Sequence, residues 1–195
     1  MSLALGLAAL CMAAIASAAC PPQGDAADDY GRELNRLKNR ETEPATFGRP
    51  ITLEALLVPG DDVRRWANDR GVVVEATVVD VVMGAVESCN CHATGDDDRD
   101  THLELALDAG EIRGSRRVIA EVTPRWRRRM AARGVDWSTQ ALRAHLIGRR
   151  VRIRGWMLFD GEHMGDARNT APRGRGNARA TAWEIHPVTG IDPLP

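Results

Sequence analysis

Four short stretches carry the side chains that could do chemistry in this chain. The first is Glu87-Ser88-Cys89-Asn90-Cys91-His92, with two thiols one residue apart and an imidazole next to them. In an oxidising compartment a Cys89–Cys91 disulfide would pin a tight loop, although a bridge across one residue is strained and easily reduced. Kept as thiolates, the two cysteines with His92 offer Zn²⁺ three ligands, one short of a tetrahedral set and without the usual spacing. Free thiols are the third state, and the sequence leaves all three open.

The second stretch is Asp100-Thr101-His102 with Glu104, on an alternating segment. Glu121 would project from the neighbouring strand, and directly opposed Cβ atoms on paired strands lie about 5 Å apart. Asp100, His102 and Glu121 read either as hydrogen-bonded structural partners or as metal ligands and a general base. The third stretch, Asp160-Gly161-Glu162-His163, opens a Gly-rich loop that runs to Arg179 and contains Asn169. The fourth is Trp183-Glu184-Ile185-His186-Pro187. If the chain closes into a small barrel, Asp160, His163, Asn169 and His186 are expected to join the second stretch at its rim. A divalent metal is the cofactor such a set would take; the alternative is that His163 and His186 simply tie the loop down.

Charge is distributed unevenly. Net charge is −1, yet residues 20–111 sum to −11 and residues 112–179 to +12. Arg150, Arg152 and Arg154 alternate along one segment beside Trp156, and Arg125, Arg127, Arg128 and Arg129 surround Trp126. Basic groups interleaved with aromatic rings are the ingredients of nucleic-acid or other polyanion binding, with charges on phosphates and rings on bases. Aromatic content of only 4% weakens this reading, because some Trp must serve the core. The bland alternatives are a solvated face, or neutralisation of one half of the chain by the other.

The elements that must position these groups follow from pattern. Leu3–Ala16 is an apolar run too short to span a bilayer, and it ends in Ala16-Ser17-Ala18-Ala19-Cys20. Residues 1–19 therefore read as a signal peptide, implying export to the periplasm or beyond. Ala18-Ala19-Cys20 also fits the end of a lipobox, so a lipid anchor at Cys20 is an alternative to soluble export. No later stretch has transmembrane character. Residues 20–49 read as a linker (21–30) and a short charged helix over 32–40, and residues 50–195 as one barrel domain. Strands are expected at 72–83, 101–107, 117–123, 151–159 and 181–188, with a helix from Ser138 or Thr139 to Leu146. Strand, strand, strand, helix, strand, strand is the order of the five-stranded OB-type barrel, a mainly β fold.

The combined motifs Glu87-Ser88-Cys89-Asn90-Cys91, Asp100-Thr101-His102-Leu103-Glu104-Leu105, Gly155-Trp156-Met157-Leu158-Phe159-Asp160 and Trp183-Glu184-Ile185-His186-Pro187-Val188-Thr189 resemble a family of small exported, largely uncharacterised bacterial OB-fold-like proteins. The resemblance spans about residues 34–191. It implies kinship and export and carries no activity. P-loop, Gly-x-Gly-x-x-Gly, His-Glu-x-x-His and Gly-x-Ser-x-Gly patterns are all missing from the sequence. The reading is then an exported OB-fold protein binding an anionic ligand. A metal-dependent nuclease or phosphoesterase and a structural periplasmic module are the alternatives.

Overall fold

A computed structural model describes residues 20–48, 50–173 and 177–195. The signal-peptide reading falls on residues 1–19, outside the described residues. Five strands close a barrel: β1 (Gly71–Met83), β2 (Thr101–Ala106), β3 (Val118–Val122), β4 (Arg150–Phe159) and β5 (Trp183–Pro193), in the order β1-β2-β3-β5-β4 and back to β1. The β3–β5 pairing is parallel and the others antiparallel. This is the OB-type barrel expected from the element order.

Strand β1 is long because it serves two neighbours. Residues Gly71 to Thr77 pair with β4, and Thr77 to Met83 pair with β2. A bulge between Val78 and Asp80 turns the strand from one neighbour to the other. Valines at 72, 74, 78 and 81 line the interior with Leu103, Leu105, Val118, Ala120, Val122, Ile153, Met157 and Ile185. Gly155 is required inside: a Cβ there would lie 2.5 Å from both the Ile185 Cγ2 and the Pro187 carbonyl oxygen.

The helices lie outside the barrel wall. Helix α1 (Asp29–Lys38) starts three residues before the expected segment, because the Asp28 carboxylate accepts the Gly31 N–H at 2.7 Å and caps it. Residues 21–28, read as a linker, are tied down: Asp25 N–H reaches the Ser88 carbonyl at 3.1 Å, and the Asn39 amide reaches the Pro22 carbonyl at 3.1 Å. Helix α2 (Leu53–Leu56) plugs Leu53 and Leu56 into the core. Two helices, not one, separate β3 from β4. Pro124, taken as a strand terminator, is also the first residue of α3 (Pro124–Ala131), a position where its missing N–H costs nothing; the Thr123 hydroxyl caps the turn. Helix α4 (Thr139–Leu146) begins behind the Ser138 cap and ends at Leu146, where the sequence places it. Strand β5 runs on to Pro193, five residues beyond the expected end, pairing again with β4 past a register shift. Among the described residues no helix is long and apolar enough to cross a membrane.

Candidate functional site

Strand alternation decides where the polar residues go. Leu103, Ala120, Val122, Trp183 and Ile185 point into the core, so His102, Glu121, Glu184 and His186 emerge on the outer face of the β2–β3–β5 wall. The expected convergence therefore occurs on the wall of the barrel, not at its rim. His102 and Glu121 are direct register partners, and His102 Nε2 stands 3.2 Å from Glu121 Oε1. His186 Nδ1 donates to Glu184 Oε1 at 3.0 Å and lies 3.5 Å from Glu121 Oε2, while its Nε2 is 4.0 Å from Asp100 Oδ2.

Three further segments close over this face. Helix α1 supplies Lys38, whose Nζ is 2.8 Å from Asp160, 3.2 Å from Glu87 and 3.3 Å from Glu162. The β1–β2 loop (84–100) supplies Glu87, Cys89 and Asp100. The β4–β5 loop (160–182) supplies Asp160 and Arg179, the latter donating to Glu184 at 2.8 Å. His186, Glu184 and Asp160 are 0% exposed, and Glu121, Asp100 and Lys38 2%.

Such burial sets the electrostatics. Desolvation alone would lower both histidine pKa values, but Glu121 acts on each, with Glu184 added at His186, and both rise to about 9. Burial would lift Glu121, but His102 and His186 hold it well below the carboxylate range. Asp100 goes to about 6, because burial outweighs the neighbouring His186. Lys38 loses by desolvation yet stays well above its ordinary value through Asp160 and Glu87. Asp160 in turn is held down by Lys38 against its own burial.

Not every expected residue belongs. Asp100, His102, Glu121, Asp160 and His186 do. His163 sits at the margin, a quarter exposed, with Nδ1 3.1 Å from Asp166 and Nε2 4.0 Å from Asp160. Asn169 lies elsewhere: its amide donates to Asp62 at 2.6 Å and to the Val58 carbonyl at 3.0 Å, anchoring the long loop to the 58–62 turn. Lys38, Glu87, Arg179 and Glu184 are members that the sequence reading did not place in the site. The one available signal was composition, since Lys38 is the only lysine among 26 basic residues.

The Cys89-Asn90-Cys91-His92 expectation is corrected. The disulfide joins Cys20 to Cys91 (Cα–Cα 5.8 Å) and Cys89 is a buried free thiol. A 3₁₀ turn at Ser88–Asn90, followed by left-handed Cys91 and His92 (φ 51° and 53°), sends the two cysteines apart. Cys89 Sγ faces Glu87 at 3.5 Å and Asp100 at 3.6 Å; burial first, then these carboxylates, push its pKa up. His92 turns to Asp25 at 2.9 Å and shares no ligand set with the thiols. The Cys20 sulfur that a thioether lipid would need is already committed to the bridge.

The Arg150, Arg152 and Arg154 row does face outward, but it meets acids. Arg150 and Arg152 share Glu75 (3.5 and 2.7 Å), and Arg154 pairs with Asp192 at 3.1 Å. Trp156 is no bare platform: its Nε1 donates to the Thr42 carbonyl at 2.8 Å and the Arg40 guanidinium covers its ring at 4.6 Å. A different basic surface exists on α3. A cleft of about 570 Å³ between the β1–β2 loop and α3 is lined by Cys20, Cys91, Asp98, Arg125 and Arg128 among others. A second hollow of about 470 Å³ shares Arg125 and Arg128 and adds Arg129 and Glu41.

Comparison with family models, with curated proteins and with solved structures finds no match to this chain.

Proposed function

We propose that this is an exported, non-catalytic OB-type binding protein whose ligand is anionic, a nucleic acid or another polyanion, held on the α3 flank of the barrel. Barrels of this type bind through the strand 2–3 face and the loops after strands 1 and 4. Here that face is filled by the chain's own buried ion pairs, which turns the reading away from hydrolysis at the histidines and towards the neighbouring cleft. The observation that carries it is the cleft wall: residues 123–133 hold five arginines and no acid, and only Arg127 is turned fully inward. Arg125 has Glu41 as a partner at 2.7 Å; Arg128 has only an exposed, 3.4 Å contact with Asp98. Export is supported by the Cys20–Cys91 bridge, a bond that persists in oxidising compartments.

The test is fluorescence anisotropy with a single-stranded oligonucleotide and with inorganic polyphosphate across a salt series. Binding is expected to weaken linearly in log–log form as salt rises. Arg128→Ala/Arg129→Ala should weaken it at least tenfold and flatten the salt slope by about 1–2. Arg150→Ala/Arg152→Ala/Arg154→Ala should leave the slope nearly unchanged. Absence of binding at low salt, or an unaltered slope in the α3 variant, refutes the reading.

A further inference from the structure

Within the sealed cluster, charge does not balance on permanent cations. Five carboxylates (Glu87, Asp100, Glu121, Asp160 and Glu184) face three such cations, Lys38, Arg127 and Arg179, so without an ion the rest of the balance falls on the imidazoles of His102 and His186. Three of the buried unpartnered atoms belong to neighbouring side chains here. Asp100 Oδ1, Glu121 Oε2 and His186 Nε2 are buried with no hydrogen-bond partner, an arrangement native interiors seldom leave unused. These three residues each offer a ligand atom, and the ligand atoms lie within 4.8 Å of one another.

We propose that Asp100, Glu121 and His186 form a divalent metal site, structural in role and suited to Zn²⁺. One imidazole and two carboxylates are a nitrogen and oxygen set that Zn²⁺ accepts, whereas Mg²⁺ and Ca²⁺ favour oxygen alone. His186 is already oriented as ligating histidines are: Nδ1–H donates to Glu184, which Arg179 clamps from behind, leaving Nε2, 4.0 Å from Asp100 Oδ2, to exchange its proton for the ion. Metal–ligand bonds of about 2.1 Å require the three side chains to draw together by at most about 1 Å. Glu87, Cys89 and Asp100 form a second three-ligand group, but Lys38 already neutralises Glu87 there. The ion therefore belongs on the His186 side. In that position it ties the β1–β2 loop, β3 and β5 together, with all three ligand residues buried. This inference is independent of polyanion binding on α3, and either can fail alone.

The experiment is a titration of the purified, metal-stripped protein with Zn²⁺, followed by calorimetry, elemental analysis after dialysis, and thermal melting. Expected are one ion per chain, a Tm raised by several degrees and reversed by chelation, and no response to Mg²⁺. Glu184→Gln should weaken Zn²⁺ 10–100-fold, and Asp100→Asn by at least as much. Should these variants fail to fold, long-range ¹⁵N spectra of the wild-type protein decide: His186 Nε2 must shift on Zn²⁺ addition while Nδ1 keeps its proton. Co²⁺ in place of Zn²⁺ should give visible bands without a sulfur charge-transfer band, which would instead put the ion on Cys89. A wild-type chain that retains no zinc and melts identically with and without it overturns the proposal.

Discussion

Replacing Lys38 by methionine tests the sealed network most directly. The change keeps the volume of the stem and removes only the charge, leaving Asp160, 0% exposed, without the cation 2.8 Å away. Breaking a buried pair from one side costs about 3–5 kcal/mol, because the remaining charge stays desolvated. With a urea m-value of about 2 kcal/mol/M, the midpoint should fall by about 1.5–2.5 M. The loss should also depend on pH. In the native chain the Asp160 carboxyl is held below its ordinary value, so its contribution is present at neutral pH and is lost only as pH falls through that depressed value. Without Lys38 the same carboxyl is raised by burial, and it takes up a proton as pH drops from 7 towards 5. The difference between Lys38→Met and wild type should therefore shrink over that interval. Asp160→Asn added to Lys38→Met should cost less than the two single changes summed, the coupling being about 1–3 kcal/mol. Urea unfolding followed by Trp fluorescence measures all of this. A midpoint shift below about 0.5 M at unchanged m, or a loss that does not change with pH, would show that Lys38 is not the counter-ion described.

Two other substitutions probe the frame. Cys91→Ser opens a bridge closing a 71-residue separation and should cost about 2–4 kcal/mol, read as a lower Tm that matches reduced wild-type protein. Gly155→Ala forces a methyl group to 2.5 Å from Ile185 and the Pro187 carbonyl; a loss of about 1–3 kcal/mol is expected in chemical denaturation, and an unchanged midpoint would mean that β4 can give way there.

The strands were legible because their chemistry is local: apolar residues alternate on a period of two, and turn residues bound them. The His102–Glu121 contact was legible for the same reason, since it needs only the register of adjacent strands. Helix α3 was hidden because proline ends one element and begins the next, and sequence shows only the ending. The Cys20–Cys91 pairing was not among the states read for the two thiols, because Cys20 precedes the barrel by some fifty residues and reaches it only when α1 packs against the β1–β2 loop. Lys38 was missed for a similar reason: its acids are 49, 122 and 124 positions away. The outward direction of the Arg150, Arg152 and Arg154 row was readable. Its neutralisation was not, because Glu75 and Asp192 become neighbours only through the β1–β4 and β4–β5 registers.

The parallel join between β3 and β5 is registered at Ala120 and Ile185 alone, whereas the other four joins are ladders along much of their strands. Glu121 and His186, one residue on from each of those partners, reach across that same line on the outside. The polar layer thus works as a bolt on the one door of the barrel. Whatever withdraws it would let the wall part between β3 and β5 and bare two strand edges to pairing with other chains. Storage and purification conditions that disturb the bolt should then show first as aggregation, before any loss of helix or strand content.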